Sequence, residues 1–202
     1  MKRKLKIEIG LAVLLLLIAL FGSFLAPYDP LKVNYDFSLQ PPSFLHIFGT
    51  DKLGRDVFSR ILCGAKTSFG LTFLMLFLIV FIGMIVGLIA GLSNDKVESF
   101  FNNIINGLLA FPDTIFAIAI VGIVGAGLFN TVFALALIWW TKYARLTLAL
   151  VKQEKKKNYL VISKMSGVPP LQRVIRYLLP NILSQILVTA FLDIGNMMIS
   201  LA

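Results

Sequence analysis

Charge, cysteine and histidine are scarce in this sequence. Only 14% of its 202 residues are charged, whereas 58% are apolar and 17 are phenylalanine. Soluble domains carry roughly 25% charged residues, and the mean hydropathy of +0.87 agrees with the imbalance seen here. The composition therefore excludes an ordinary soluble domain and predicts an all-α integral membrane protein.

The single cysteine and the single histidine exclude several kinds of site. Cys63 alone cannot form an intramolecular disulfide or a CxxC metal site, and His46 alone cannot build a histidine-based metal cluster or a catalytic dyad. We expect Cys63 to be a packed or interfacial thiol and His46 to lie in a loop. The stretch GAKTSFG, Gly64 to Gly70, lacks the G-x-x-x-x-G-K-[ST] spacing of a phosphate loop. No catalytic residue, metal site or cofactor site is therefore predicted.

Five apolar runs approach the length of a membrane crossing, because a bilayer core about 30 Å thick needs roughly 20 helical residues. The sequence therefore predicts a polytopic transmembrane helical bundle with five spans. A signal peptide is the alternative for the first run, but Pro27-Tyr28-Asp29-Pro30 is a poor cleavage site. The five runs are Ile9 to Leu25, one within Thr67 to Asn94, about Phe100 to Val124, about Leu128 to Leu148, and Ile182 to Ala202.

The second run carries glycine at every fourth position, at Gly83, Gly87 and Gly91. This spacing places the three glycines on one face of a helix. Small residues at such a face allow a neighbouring helix to approach closely. We therefore expect the stripe to be a helix contact.

The distribution of Lys and Arg predicts the orientation in the membrane. The N-terminal tail carries four of them, and the segment from Lys142 to Arg176 carries nine against one acid, Glu154. Because basic residues collect in cytoplasmic loops, we expect both regions to face the cytoplasm and the loop from Ala26 to Lys66 to lie outside. The net charge of +9 is then explained by phospholipid headgroups and topology, and no nucleic-acid partner is predicted.

The basic segment between the last two apolar runs has the pattern of two short helices. The first runs from Asn158 to Ser166 and is stopped by Gly167. The second starts at the prolines and runs from Leu171 to Leu179, where Pro180 ends it. Its apolar residues lie on one face, which we expect to pack on the protein itself: Leu171, Val174, Ile175, Leu178 and Leu179.

Apolar residues surround most of the first of these two helices. Tyr159, Leu160, Val161, Ile162 and Met165 leave only a narrow polar side. A loop helix this apolar needs a surface to cover it. Physical reasoning alone leaves two coverings open, a partner protein or the lipid surface of the membrane.

The external loop ends in two charge pairs at helical spacing, Asp51 with Arg55 and Asp56 with Arg60. On a helix through these residues, the opposite side carries the apolar side chains of Leu53, Val57, Ile61 and Leu62. The pattern predicts an amphipathic helix. A lid on the outer membrane surface is the favoured interpretation, ahead of direct substrate contact or docking of a binding protein.

Two aspartates lie inside apolar runs, where ionisable residues are costly and usually face protein or water. Asp113 follows Pro112 in the third run, and Asp193 lies in the fifth. Asn106 and its neighbouring asparagines make one side of the first half of the third run polar. Asp113, Asn106 and Asp193 are therefore candidate residues of a solute pathway. The alternative, left open, is that the two aspartates pair within the bundle or with a partner subunit.

Three stretches of the sequence resemble a known family. The spacing from Tyr159 to Gly167, followed by Leu179-Pro180-Asn181, is similar to the cytoplasmic "EAA" loop of bacterial ABC-transporter permease subunits. FGTDKLGRDVFSRILCGAKTSFG, Phe48 to Gly70, and LLAFPDTIFAIAIVG, Leu108 to Gly122, resemble the dipeptide, oligopeptide and nickel subfamily, and in particular its C-type permease. One departure is Val161-Ile162-Ser163, where the family commonly has Glu-Ala-Ala.

This resemblance implies a type I ABC importer permease with an ATPase-coupling loop at about 152–180, inside a transmembrane core of residues 67–202. Residues 1–66 would form an N-terminal span with an external loop. The coupling helix would consist of Tyr159, Leu160, Val161, Ile162, Ser163, Lys164, Met165, Ser166 and Gly167. The family continues with at least one further span, so the sequence resembles a C-terminally truncated member.

The resemblance also implies a function and partners. The expected function is a non-catalytic permease subunit of the bacterial inner membrane that forms, with a second permease, a pathway for peptides or nickel. Two ATP-binding subunits would hydrolyse ATP, and a periplasmic or lipid-anchored solute-binding protein would deliver substrate. The alternative is a secondary transporter or channel that works without ATPases.

Overall fold

A computed structural model describes residues 2–201, without the side chains of residues 2, 3, 5, 6, 8, 9 and 12. These residues contain α-helices and no strand longer than the isolated bridge between Thr50 and Asp56, which confirms the all-α prediction. A 3₁₀ turn at Tyr35–Phe37 and a π-helical segment at Val174–Leu178 interrupt the α-helical pattern. The helices are α1 (Lys2–Leu25), α2 (Val57–Leu92), α3 (Asp95–Leu109), α4 (Asp113–Val124), α5 (Leu128–Lys155), α6 (Asn158–Met165), α7 (Pro170–Arg173) and α8 (Leu179–Leu201).

Three helical segments among the described residues are long and apolar enough to cross a membrane: Val57–Leu92, Leu128–Lys155 and Pro170–Leu201. Helices α3 and α4 bring the number to four if they are taken together as one broken span. The first apolar run lies in α1, where the part with continuously described side chains is the apolar segment Val13–Leu25, and Ala202 lies outside the described residues. The five predicted spans are therefore not confirmed.

The third apolar run forms two helices instead of one straight span. Helix α3 ends at Leu109 and α4 begins at Asp113, and the two axes differ by 82°. Pro112 lies at the break, where its missing N–H and fixed φ favour the start of a new helix. The break leaves unpaired backbone groups at the ends of two helices in the middle of an apolar run.

The chain divides into two compact units at Gly70 and Leu71. In the first unit, α1 approaches the beginning of α2, and a Cβ added to Gly22 would lie 3.2 Å from the Leu62 carbonyl oxygen. In the second unit, α5 is central because it contacts α3, α4, α6 and α8. Its buried side chains, among them Tyr143 and Val151, lie in the core with Met75, Ile79 and Ile186.

The glycine stripe of α2 is a helix contact, as the sequence predicted. A Cβ at Gly83 would lie 2.6 Å from the Trp140 carbonyl oxygen, and one at Gly87 would lie 2.6 Å from the Ala144 carbonyl oxygen. A Cβ at Gly91 would meet Val151 at 2.7 Å. The absence of side chains on this face therefore permits the backbones of α2 and α5 to pack directly against each other.

Substituting Gly83→Ala should destabilise the second unit. The added methyl group meets main-chain atoms of α5 that cannot rotate away, so the helices must separate at a cost of about 1–3 kcal/mol. The measurement is the thermal unfolding midpoint of the purified chain in detergent. Gly195→Ala is the control, because it makes the same substitution in α8 with no atom within 4 Å of the added Cβ. Equal midpoints for the two variants would contradict the contact.

The predicted helix at Asp51 begins instead at Val57, so the prediction of an amphipathic helix through both charge pairs is wrong. Gly54 has a φ of +68°, a left-handed conformation that ends any helix attempted over these residues. Asp56 precedes the first helical residue, and its Oδ2 accepts hydrogen bonds from the Ser59 N–H at 2.7 Å and the Ser59 hydroxyl at 2.6 Å. Asp56 therefore caps α2 and does not pair with Arg60.

Asp51 forms ion pairs with both Arg55 and Arg60, whereas the predicted helix paired Arg60 with Asp56. Its Oδ2 lies 2.7 Å from Arg55 Nη2 and 3.2 Å from Arg60 Nη1. The hydrogen bond from Arg55 is the main cause that lowers the pKa of Asp51 to about 2. Although burial opposes its ionisation, hydrogen bonds from Ser59 and His46 lower the pKa of Asp56 below its ordinary value of 3.8. Both carboxylates are therefore ionised at neutral pH.

His46 lies in the loop between α1 and α2, as predicted, and is also part of the cap. Its Nδ1 lies 3.0 Å from Asp56 Oδ1, and its ring lies beside the rings of Tyr28 and Phe37. Cys63 is a half-buried free thiol on α2. The loop is thus held against the start of α2 by polar contacts of His46 and Asp56, which the predicted amphipathic helix did not include.

Candidate functional site

A cleft of about 570 Å³ lies in the second unit beside the break between α3 and α4. The cleft is lined by Asp113 and Asp193, the two aspartates that the sequence indicated as pathway candidates, although they are 80 positions apart in the sequence. Two polar side chains of α8, Asn196 and Ser200, also line the cleft. The remaining lining residues are Leu109, Phe111, Pro112, Ile138, Trp139, Thr141, Lys142 and Ile199.

Asp193 is buried and paired within the chain. Lys142 Nζ lies 2.8 Å from its Oδ1 and 2.6 Å from its Oδ2, and the Tyr143 hydroxyl donates to Oδ2 at 2.9 Å. The aspartate residue is only 7% exposed. A buried carboxylate is stable in its ionised form only when such partners replace water. Asp193 therefore pairs within the bundle, which was the alternative that the sequence left open for both aspartates.

Asp113 is different because it has no basic partner within the described residues 2–201. It opens α4 next to Pro112, and its Oδ1 accepts a hydrogen bond from the N–H of the adjacent Thr114 at 2.8 Å. The residue is half-buried. Its carboxylate is held at a helix N-terminus, where the aligned peptide dipoles favour negative charge. The cleft therefore contains one neutralised carboxylate and one that is available to a cationic group.

Asn106 does not line this cleft. It lies on the exposed side of α3, where its side-chain oxygen accepts a hydrogen bond from Arg145 Nη2 of α5. The structure thus brings together two of the three candidate pathway residues, and the role of Asn106 in a pathway stays a prediction.

The short helix of the basic loop forms as predicted. Helix α6 spans Asn158–Met165, and Gly167 follows it with a φ of +75°. The Val168 N–H returns to the Ser163 carbonyl at 3.1 Å, which closes the end of the helix. A glycine is required at position 167 because side chains disfavour the left-handed conformation.

A network around Tyr159 connects α6 to the ends of two longer helices. The Tyr159 hydroxyl donates to Glu154 Oε2 on α5 and accepts from Asn181 Nδ2 on α8 at 3.2 Å. Glu154 is buried, and its Oε1 also binds Lys157 Nζ at 2.6 Å. Burial and the bond to Glu154 raise the pKa of Tyr159 to about 12, so the hydroxyl stays protonated at neutral pH. The network therefore connects α6 to α5 and α8 through side-chain hydrogen bonds.

Substituting Tyr159→Phe should weaken this network. It removes one hydrogen bond to a buried carboxylate, and bonds to charged groups contribute about 1.5–3 kcal/mol. The measurement is again the thermal midpoint of the purified chain. Tyr177→Phe is a matched control, because it deletes the same atom from a tyrosine whose hydroxyl has no partner among residues 2–201. A midpoint unchanged by Tyr159→Phe would contradict the network.

One side of α6 is apolar and exposed. Val161, Ile162 and Met165 are 48%, 60% and 82% exposed, whereas Ser163 is buried and donates its hydroxyl to the Leu160 carbonyl. We call Val161, Ile162 and Met165 the apex patch. Exposed apolar residues grouped in this way indicate a contact that is incomplete in the single chain, with a partner protein or with lipid.

Pro180 does not end the second loop helix, and this prediction is wrong. After α7 the chain continues through the π-helical segment Val174–Leu178 into α8, which contains Pro180 in its first turn. In a π-helix a carbonyl pairs with the N–H five residues ahead, and this wider turn lies directly before Pro180, which has no N–H to donate. The Leu179 N–H accordingly donates to the Val174 carbonyl, and Asn181 Nδ2 donates to the Tyr177 carbonyl at 2.6 Å.

The predicted apolar face of this second helix is only partly packed. Leu178 is buried, and Val174 and Leu179 pack against the core, as expected. Leu171 and Ile175, however, are 72% and 54% exposed. The π-helical segment changes the angle per residue, so residues spaced for one α-helical face no longer share one.

A family model described as "Binding-protein-dependent transport system inner membrane component" matches residues 83–202. The chain belongs to this family. The matched region contains the cleft, the Tyr159 network and the apex patch. A second model, described as "N-terminal TM domain of oligopeptide transport permease C", matches residues 9–42. The predicted resemblance to peptide and nickel transport permeases is therefore confirmed.

Several curated relatives of this transport family are similar over nearly the whole chain. The di/tripeptide transport system permease protein DppC of Pseudomonas aeruginosa is 37% identical over 96% of the chain and 66% of the relative. The nickel transport system permease protein NikC of Escherichia coli K12 is 33% identical over 94% and 68%, respectively. The dipeptide permease DppC of Haemophilus influenzae is 32% identical over 96% and 68%. The chain thus spans about two thirds of the length of these relatives.

Three residues of the two sites were not identified as functional from the sequence. Lys142 was used only as one of the basic residues that predict the orientation in the membrane. Glu154 was noted only as the single acid of the basic segment, and Asn181 only as part of the Leu179-Pro180-Asn181 motif. A usable signal existed for Lys142, because a lysine and an aspartate in two different apolar runs are expected to pair. Nothing in the spacing indicated that Glu154 would accept from Tyr159.

Proposed function

We propose that the chain is the permease subunit of an ATP-binding-cassette importer and that its cleft is part of the solute pathway. The observation that carries the proposal is the exposed apex patch of α6. Hydrogen bonds of Tyr159 connect this helix to α5 and α8, in a chain that belongs to a binding-protein-dependent transport family. Similarity to peptide and nickel permeases supports this function over a secondary transporter or channel without ATPases.

The partners follow from the same proposal. A second, homologous permease completes the pathway, two ATP-binding subunits hydrolyse ATP, and a periplasmic or lipid-anchored solute-binding protein delivers the solute. The N-terminus and α6 face the cytoplasm, because Lys and Arg collect there. The exposed apolar side chains of α8 outside the cleft, such as Phe191 and Leu192, then contact the second permease or lipid.

The candidate solutes are di- and oligopeptides or nickel, as in the named relatives. Asp113 supplies the carboxylate that meets a cationic group, such as a peptide amino terminus or a metal cation. Asp193 is already neutralised by Lys142, and its role is to hold α5 and α8 together at the cleft wall. The cleft wall thus carries one net negative charge from Asp113, Asp193 and Lys142, which favours a cationic solute over an anionic one.

The coupling step uses α6. Closure of the ATP-binding subunits moves the apex patch, and the Tyr159 network passes the displacement to α5 and α8. Helices α5 and α8 both line the cleft. Rocking these helices switches the pathway between its outward-open and inward-open states.

The test is purification of the tagged full chain from its own cells in a mild detergent, together with solute uptake into the same cells. We expect a second permease and ATP-binding proteins to co-purify, and uptake of a labelled dipeptide or of radioactive nickel to require ATP. Uptake that is driven by an ion gradient, with no ATP-binding protein in the complex, would refute the proposal in favour of the secondary-transporter alternative.

A further inference from the structure

A groove of about 720 Å³ lies on the flank of the two-helix loop and is separate from the cleft. Its wall includes Leu92, the last residue of α2, and Lys155, the last residue of α5. Both helices are candidate membrane spans. Leu92 lies at the end of the uncharged stretch of α2, and Lys155 lies among the charged residues that end α5, so we infer that the groove is near the boundary between hydrocarbon and headgroups.

The lining of the groove combines two kinds of side chain. Seven of its ten residues are apolar, including Leu160, Leu171 and Leu178. The other three are basic: Lys155, Lys164 and Arg173. No lining residue is acidic. An apolar wall beside three positive charges is complementary to a molecule with a hydrocarbon part and an anionic group.

The basic groups of this lining have few partners in the chain. Arg173 Nε is buried without a hydrogen-bond partner, and no carboxylate among residues 2–201 pairs with Arg173 or Lys164. Of the nearby acids, Glu154 binds Lys157 and Glu98 binds Lys152, and Asp95, which follows Leu92 by three residues, does not line the groove. Buried donors normally have an acceptor, so the unpaired Arg173 nitrogen indicates a missing one.

We propose that this groove binds an anionic phospholipid. The lipid phosphate accepts hydrogen bonds from Lys164 and Arg173, and an acyl chain lies along the leucines of the wall. Guanidinium and ammonium groups bind phosphate through short, charge-assisted hydrogen bonds, and basic pockets between membrane helices hold anionic headgroups.

The observations favour lipid over an acidic surface of an ATP-binding subunit. Of the apex patch only Val161 lines the groove; Ile162 and Met165, its most exposed residues, do not, and the groove reaches back to the ends of α2 and α5. The bound lipid would therefore occupy the space between the loop and the bundle while Ile162 and Met165 stay free. This places an anionic lipid against the same loop that couples to ATP hydrolysis.

The test is retention of lipid by the full chain purified from nanodiscs of equimolar phosphatidylcholine and phosphatidylglycerol, measured by native mass spectrometry. We expect the wild type to retain phosphatidylglycerol preferentially and the Lys164→Gln/Arg173→Gln variant to lose roughly tenfold of that preference. The control is Lys156→Gln/Arg176→Gln, which removes two charges of the same loop that do not line the groove. Equal preference in both double variants would overturn the proposal.

A second measurement keeps the test independent of how well the double variants fold. In Leu171→Trp, a fluorophore is placed in the groove wall, and brominated phosphatidylglycerol should quench the added fluorescence while brominated phosphatidylcholine does not. No difference between the two lipids overturns the proposal. Displacement of the phosphatidylglycerol by a purified ATP-binding subunit also overturns it, because the groove would then be a protein-docking surface. Neither result bears on whether the chain is an importer permease.

Discussion

Substituting Ile162→Glu should abolish ATP-driven transport and leave the chain folded in the membrane. Ile162 is 60% exposed at the centre of the apex patch, so a glutamate there is tolerated by the isolated chain. In the assembled importer the same carboxylate would be buried in an apolar contact, where an unpaired polar group costs several kcal/mol. We therefore expect at least a roughly 30-fold loss of coupled ATPase activity, since 1.4 kcal/mol corresponds to a factor of 10.

The measurement is solute-stimulated ATPase activity and ATP-driven uptake in proteoliposomes. Gln153→Glu is the control, because it adds the same charge to an exposed polar position at the end of α5. Gly167→Val should have the same effect as Ile162→Glu for a different reason, because a β-branched residue is strained at a φ of +75° and moves α6 relative to α7. Normal coupling in both loop variants would show that α6 does not dock the ATPase.

Removing Lys142 from the Lys142–Asp193 pair should strongly destabilise the second unit, removing Asp193 should cost less, and removing both should restore much of the loss caused by removing Lys142. Lys142→Met leaves a buried carboxylate with only the Tyr143 hydroxyl as a partner, whereas Asp193→Leu leaves a lysine whose side chain is already 53% exposed. An uncompensated buried charge costs about 3–5 kcal/mol, whereas an apolar replacement of both partners is often neutral. The coupling energy of the double-mutant cycle is therefore expected to be large and favourable.

The cycle is measured as the thermal midpoint of the purified chain and its three variants. Asp113→Asn is the matched control, because it neutralises a carboxylate of the same cleft that lacks a basic partner in the described structure. We expect Asp113→Asn to leave the midpoint unchanged and to reduce uptake of a cationic solute. Additive effects of Lys142→Met and Asp193→Leu would contradict the pair, and a loss of stability in Asp113→Asn would contradict the division of roles between the two aspartates.

The sequence was most informative where one local rule determined the structure. Gly167 ends α6 because glycine readily adopts the left-handed conformation found there. The spacing of Gly83, Gly87 and Gly91 places all three glycines on one helix face, where the close contact with α5 is found. Composition alone was sufficient for the all-α membrane class. The two aspartates were also found from the sequence, since charge inside an apolar run has few structural uses.

Prediction failed where two local rules competed. Asp51 and Asp56 fit an amphipathic helix by their spacing, but Gly54 and the capping preference of Asp56 place the start of α2 at Val57. Pro180 would end an α-helix, but the chain passes through a π-helical segment into α8 with Pro180 in the first turn. Which rule prevails depends on contacts made after the elements form, such as the bond from Asn181 to Tyr177.

The partners of charged side chains were the least predictable feature. Lys142 and Asp193 are 51 residues apart, and Tyr159 joins Glu154 to Asn181 across three helices. No periodicity within one helix specifies a contact between two helices. These pairings follow only from the packing of α5 against α8.

Site-directed photo-crosslinking from position 165 tests the central claim most directly. Met165 is 82% exposed at the end of the apex patch, and Phe44, fully exposed in the loop between α1 and α2, provides a control position. With the photoreactive residue at 165, the proposed importer function predicts a covalent adduct with an ATP-binding protein in intact membranes, and none from position 44. Adducts with lipid alone from position 165 would contradict it.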